Sequence, residues 1–423
     1  MTRTTTVGLG DDPGHSTGDA DAIAALRTAF AAQTAGVRRN PAPGIEERRR
    51  NLQALAQVIT GYRHRIREAL SADFAVHPEG FADLAEILGV AGRAAHAAEH
   101  LEAWMAPETR PAGPGLLGSA HVSITHQPKG VIGLISPWNF PFDLSLGPLA
   151  DMLASGNRVI VKPSEYTPAC SALLREMLAE AFDPEQVTVV TGGLELAREF
   201  PTLPWDHLLY TGNPEVGRLV ARAAAENLVP TTLELGGKCP AIVHEDSVTA
   251  DTVAQIAGTK LVKSGQMCVT VDYCLVPRKD LDRFTELVTA HMREEIFGPI
   301  LPIKPYDAIE DAVTHVNHGE RPLGLYVFAQ DPGTAEQLLA TTVSGGACVN
   351  TCAVQAAVPS LGFGGIGRSG HGRHHGVDGF REFSNPRGIV RRGQDDLIEL
   401  MFPPYGDALD TVVGSALGAA GAE

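Results

Sequence analysis

Residues 263–276, KSGQMCVTVDYCLV, set two cysteines six positions apart. Cys268 follows a Ser264-Gly265-Gln266 break that ends any helix before it and exposes the turn, whereas Cys274 lies inside an alternating apolar run. A free cysteine in an apolar run is ordinarily inert core, and Cys274 is read that way. Cys268, in an exposed turn, is read as a thiol that can attack a carbonyl carbon. A base to serve it stands upstream in Leu233-Glu234-Leu235-Gly236-Gly237-Lys238. Glu234 closes an apolar run, where a half-buried carboxylate has a raised pKa and can take a proton.

Three further segments carry groups of the right type. In Ser136-Pro137-Trp138-Asn139-Phe140-Pro141, two prolines fix the backbone around one amide, and Asn139 can offer its NH2 to a developing oxyanion. Taken alone it is better read as a turn asparagine. Lys162-Pro163-Ser164-Glu165 follows an apolar run, and its lysine and glutamate can both reach ribose hydroxyls or simply form an ion pair. In Thr211-Gly212-Asn213-Pro214-Glu215-Val216-Gly217, a glycine turn opens a helix whose free N–H groups would face a diphosphate, although a plain helix cap reads the same and the pattern is not GxGxxG. Gly14-His15-Ser16-Thr17-Gly18 matches the G-x-S-x-G elbow of serine hydrolases, but neither the strand before it nor the helix after it is expected, so it is set aside.

The elements that must position these groups follow from periodicity. Leu52, Leu55, Ile59, Tyr62, Ile66 and Leu70 recur at helical steps and predict a helix over 46–72; a second helical stretch covers 81–105 and ends before Pro107. His121–Gln127 alternates like an exposed strand. From Val131 short apolar runs alternate with helix-length intervals: 131–135, 158–161, 187–190, 207–210 and 231–234. That is the rhythm of a parallel sheet with helices on its faces, whose ligands sit at the carboxyl ends of the strands. Residues 271–276 and 323–328 read as strands, 334–342 as a helix, and 361–376, with seven glycines, as no regular element.

The bulk composition narrows the classes. There are 34 Lys and Arg against 50 Asp and Glu, a formal charge of −16, which argues against nucleic acid or an anionic membrane as partner. The six cysteines form no CxxC pair, and no histidine pair stands at zinc spacing near Cys348 and Cys352, so neither a disulfide framework nor a metal is expected. Lacking a basic-then-apolar leader and a membrane-length apolar run, the chain is expected in the cytoplasm with its thiols reduced.

Together the quoted segments resemble the NAD(P)-dependent aldehyde dehydrogenase superfamily, in the manner of its coniferyl-aldehyde or class 3 branch. The resemblance runs from about residue 46 to about residue 390 and also rests on EEIFGP (294–299), PLGLYVF (322–328), SGGACVN (344–350) and LGFGGIGRSGHG. It implies an α/β protein with a Rossmann-like parallel-sheet cofactor domain, a second α/β catalytic domain and a small β oligomerisation element. The expected division is a disordered tail at 1–20, an NAD-binding domain at 21–117 and 131–236, and a catalytic thiol domain at 237–385. Residues 118–130 and 386–400 then form the oligomerisation element, and 401–423 a C-terminal tail.

The resemblance also implies roles. Cys268 would attack the aldehyde, Asn139 and the Cys268 N–H would hold the oxyanion, and Glu234 would activate the water that releases the acid. Trp138, Lys162, Glu165, Gly212, Asn213, Gly217, Glu295 and Phe297 would contact NAD, with NADP possible; Glu165 favours NAD by repelling a 2′-phosphate. The partners implied are a small aldehyde, aromatic such as coniferyl aldehyde or medium-chain aliphatic, and a second copy in a homodimer built by pairing His121–Gln127 across subunits. One departure is large: only 27 positions separate Cys268 from Glu295, so the catalytic domain is shortened between 280 and 292. The shortening is expected to remove strands and uncover sheet edges. It leaves open an alternative: a catalytically impaired protein that keeps the fold, NAD binding or an oligomeric scaffold role.

Overall fold

The computed structural model describes residues 16–112, 117–294 and 301–420. The strands are β1 (Glu108–Arg110), β2 (His121–Pro128), β3 (Val131–Ile135), β4 (Arg158–Lys162), β5 (Val187–Val189), β6 (His207–Gly212) and β7 (Thr231–Leu235). They continue as β8 (Pro240–Val243), β9 (Tyr273–Pro277), β10 (Ile303–Tyr306), β11 (Gly324–Phe328), β12 (Gly346–Val349), β13 (Gly370–His371) and β14 (Ser384–Arg391). Three sheets result, in the orders β13-β7-β6-β3-β4-β5, β10-β9-β8-β11-β12 and β1-β2-β14. The first is parallel except where β13 meets β7, the second is wholly parallel, and the third is antiparallel. The protein is therefore α/β, with a Rossmann-like first sheet.

The first sheet explains where a ligand can sit. β3 lies in its interior; the chain moves outward through β4 and β5, then returns across β3 to β6 and β7. Ligands of open parallel sheets bind outside the carboxyl ends of the strands at such a reversal. Here those ends lead into Ser136–Phe140 after β3, Lys162–Glu165 after β4, and Gly212–Asn213 after β6. The strands are buried almost throughout, as continuous apolar runs between helices require.

Several elements differ from expectation. Residues 16–39 form a helix, so the stretch expected as tail gives way to structure at Ser16, and the last three residues of the GHSTG motif open that helix; Gly14 and His15 lie outside the described residues. The helix expected over 46–72 is two, Ile45–Gly61 and Arg63–Phe74, because Gly61 is a weak helix former and Tyr62 leaves helical geometry at ψ 10°. The 81–105 helix begins at Glu79 and passes through a wider π-type turn, Asp83–Leu88, before continuing as Gly89–Met105. Within 401–423, Asp407–Ala420 is helical.

β2 is the central strand of its sheet, flanked by β1 over 122–124 and by β14 along its whole length. The His121–Gln127 strand is thus paired within its own chain, and the outer edges of this sheet belong to the three-residue β1 and the longer β14. β1 comes from the stretch assigned to the cofactor domain, and β13, from the stretch assigned to the catalytic domain, joins the first sheet instead.

The shortened region after β9 is the helix Leu281–Glu294, whose Phe284 and Val288 are buried with Val243, Cys274 and Tyr326. The five strands of the second sheet remain contiguous, so the shortening leaves a packed core behind Cys268. Among the described residues no helix is long and apolar enough to cross a membrane.

Candidate active site

The loop after β3 is fixed at both ends. The Ser136 N–H donates to the Lys162 carbonyl at 3.1 Å, and the Phe142 and Asp143 N–H groups donate to one oxygen of the fully buried Glu86 at 3.0 and 2.9 Å. Between these anchors the Asn139 side-chain amide donates to the Gln266 carbonyl at 2.9 Å. Asn139 thus lies against the loop that carries Cys268, two residues beyond Gln266.

That loop enters through a strained turn. Lys263 and Ser264 have φ of 47° and 56°, and Gly265 follows at 78°, a left-handed run that side-chain-bearing residues seldom adopt. The turn breaks the helix Ala250–Leu261 and delivers Cys268 to a half-buried position beside the core of the second sheet. Its carbonyl oxygen accepts the Cys239 thiol at 3.5 Å. Burial, and next the Glu234 carboxylate, push the Cys268 thiol up to about 12.

Glu234 sits in β7, between Thr211 of β6 and Gly370 of β13. It is 3% exposed, and among the described residues neither carboxylate oxygen has a hydrogen-bond partner. Burial raises it well above the usual carboxylate range, against the opposing pull of the Arg373 guanidinium and the Gly365 amide. The glycine-rich segment makes room for it: a Cβ on Gly364 would stand 2.8 Å from Glu234 Oε1 and 2.2 Å from the Gly372 carbonyl oxygen. A buried carboxylate without a hydrogen-bond partner, in the field of a thiol, is costly for stability and chemically able to take up a proton.

The other sequence candidates lie along the reversal of the first sheet. Lys162 is buried and its Nζ donates to Glu165 at 2.9 Å, so the two form an ion pair with one buried partner. Asn213 caps the helix Pro214–Ala225, accepting the Val216 N–H at 2.8 Å. Gly212 and Gly217 are tight positions, since a Cβ would meet Tyr210 Oη at 2.2 Å and Leu235 Cδ2 at 2.7 Å. Trp138 is partly exposed, its ring 6.3 Å from that of Phe74. Glu295 and Phe297 lie outside the described residues.

Between the Asn139 loop and the helices of 63–81 lies a pocket of about 660 Å³, lined among others by Phe74, His77, Phe81, Trp138 and Gln266. Of its walls, Phe74, His77 and Phe81 were missed by sequence reasoning, along with Glu86, Lys263 and Arg373. The lysine stood in the quoted Cys268 stretch, where a charge beside a helix break was the available signal.

The sequence model of the Aldehyde dehydrogenase family matches residues 14–294 and 289–389. The chain belongs to this family. Its two matched segments meet in the shortened stretch. A probable coniferyl aldehyde dehydrogenase of Caulobacter vibrioides is 36% identical over 453 positions, covering 89% of this chain and 93% of the relative. That alignment is longer than the 423 residues present here, so the relative carries stretches that this aldehyde dehydrogenase lacks. A coniferyl aldehyde dehydrogenase of a Pseudomonas species is 34% identical, covering 86% of this chain and 90% of the relative. Among solved structures, a substrate-bound state of Staphylococcus aureus AldH superposes with a TM-score of 0.85 at 26% identity, covering 92% of this chain and 99% of that one. A Mycobacterium tuberculosis aldehyde dehydrogenase complexed with NAD+ gives 0.79 at 25% identity, covering 88% and 91%.

Proposed function

We propose that the protein oxidises an aldehyde to its carboxylic acid with NAD(P)+, through a thiohemiacetal and then a thioester on Cys268. The observation that carries this is the convergence of a half-buried thiol, an amide-bearing loop bonded two residues away from it, and an unpartnered buried carboxylate in its electrostatic field. Once deprotonated, Cys268 attacks the carbonyl carbon. The second N–H of the Asn139 amide and the Cys268 N–H stabilise the oxygen as it gains charge. When bound, NAD(P)+ accepts the hydride. Glu234 takes the proton of the water that hydrolyses the thioester; because its carboxyl is raised well above the usual range, this step quickens as pH rises and the carboxylate forms.

Lys162, Glu165, Gly212, Asn213 and Gly217 would hold the dinucleotide, with Trp138 and, from the family pattern, Glu295 and Phe297. The fit is physical: Trp138, Lys162, Glu165, Gly212 and Asn213 lie at or just beyond the strand ends where the sheet reverses, and Gly217 lies on the helix that Asn213 caps. The aromatic walls of the 660 Å³ pocket and the names of the coniferyl-aldehyde relatives favour an aromatic substrate over a medium-chain aliphatic one. A homodimer is part of the proposal, now through the open edge of β14, with monomeric sedimentation as the result against it.

The test is NADH formation from a panel of aromatic and aliphatic aldehydes, with NAD+ and NADP+ in parallel. Turnover with coniferyl or a related aromatic aldehyde is expected. Dinucleotide binding without NADH from any aldehyde would favour the second reading, a fold-retaining protein without turnover. The shortened stretch before Glu295 is the observation behind that reading.

A further inference from the structure

Lys263 takes no part in the reaction as written, yet it is the charge built into the Cys268 loop. Its Nζ lies 4.4 Å from the ring centroids of both Phe74 and Phe140 and 3.5 Å from Glu86 Oε1, and it donates to the Asn139 carbonyl oxygen. Glu86 holds the same loop from its far side through the Phe142 and Asp143 N–H groups. Asn139 is therefore gripped twice by one short segment: Lys263 takes its backbone carbonyl and the Gln266 carbonyl takes its side-chain amide.

Both charged groups are costly where they stand. The Lys263 side chain is 5% exposed and that of Glu86 not at all. Desolvation cancels much of the attraction in such a pair, so it is a poor device for stability and a better one for fixing a single geometry. Two local irregularities serve the contact. Lys263 is held in the left-handed region, and Glu86 projects from the π-type turn Asp83–Leu88, a helix irregularity that recurs at functional sites.

We propose that Lys263 is a positioning residue: with Glu86 it ties the Asn139 loop to the Cys268 loop and so sets where the Asn139 amide stands relative to the sulfur. This rests on the roles given to Cys268 and Asn139 above. Lys263, Ser264 and Gln266 also line the pocket beside these loops, so the tie forms part of its wall next to the Cys268 loop.

Lys263→Met keeps the apolar stem and removes the charge. Lys263→Met/Glu86→Gln leaves no unpaired buried charge, while the introduced glutamine keeps an oxygen for the Phe142 and Asp143 N–H groups, so the double variant is the one expected to fold. The first readout is the pre-steady-state burst of NADH. Its rate constant should fall about tenfold or more in both variants, with KM for the aldehyde little changed, since an ångström of misplacement can cost about a hundredfold. Lys263→Arg should recover most of the loss. A folded double variant with the unaltered burst rate overturns the proposal, whatever its melting temperature. The second readout is iodoacetamide alkylation of Cys268, followed on its peptide by mass spectrometry, which needs no turnover and should accelerate in both variants. If the unaltered protein makes no NADH with any aldehyde, the reaction assigned above fails and alkylation alone decides: faster labelling keeps the clamp, unchanged labelling removes it.

Discussion

Cys268 and Cys274 lie six residues apart, and burial pushes both thiols up to about 12. Proton affinity does not separate them; their neighbours do. Cys274 is fully buried in β9 among apolar side chains of the second sheet, with Lys260 as a charged influence that lowers it against burial. Cys268 stands in a loop, half-buried, in the field of an unpartnered glutamate and tied through Gln266 to an amide-bearing loop. In this fold a sulfur becomes a candidate nucleophile through what surrounds it, since two equally reluctant thiols are built for different ends.

The comparison breaks most sharply under substitution. Cys268→Ala should abolish NADH formation, whereas Cys274→Ala should leave kcat within about twofold and cost about 1–2 kcal/mol in chemical denaturation, the price of a small core cavity. Equal losses of activity would erase the distinction. Next in size, Glu234→Gln should preserve the NADH burst while slowing steady-state turnover on the order of a hundredfold or more, as loss of a general base does. An unchanged steady state would take Glu234 out of the reaction and leave Cys268 no better served than Cys274. A third prediction carries the contrast across pH: labelling of Cys268 by iodoacetamide should climb about tenfold per pH unit from pH 7 to pH 10 without a plateau, because the thiolate is the reactive form and the thiol lies near 12. Cys274, without access to solvent, should stay unlabelled across that range. A plateau near neutral pH would mean that the resting thiol is already ionised.

What could be read from the sequence follows the same division between continuous and local signals. β3 and β4 were legible because strands buried on both faces carry runs of apolar residues, VIGLI and VIV, and β6 and β7 because short β-rich stretches recur at helix-length intervals. β8, β10 and β12 were not: each is four residues long, and proline or glycine dilutes its apolar pattern. Cys268, Glu234 and Asn139 stood out because each follows or closes an element. Glu86 could not, since a glutamate in a polar helix looks exposed, and the π-type turn alters which face it presents. Its tie to Lys263 spans 177 positions, a pairing that no local pattern encodes. The edge that β14 leaves open was hidden for the same reason, because β2 finds its partner more than 250 residues away within its own chain.

The central claim is that Cys268 carries the acyl group. The direct measurement is peptide mass spectrometry of the Glu234→Gln variant quenched after mixing with aldehyde and NAD+. The account predicts an acyl adduct on the peptide bearing Cys268, absent when NAD+ is omitted and absent from the sulfur of Cys274. An unmodified Cys268 alongside NADH release, or the adduct on another residue, would contradict it.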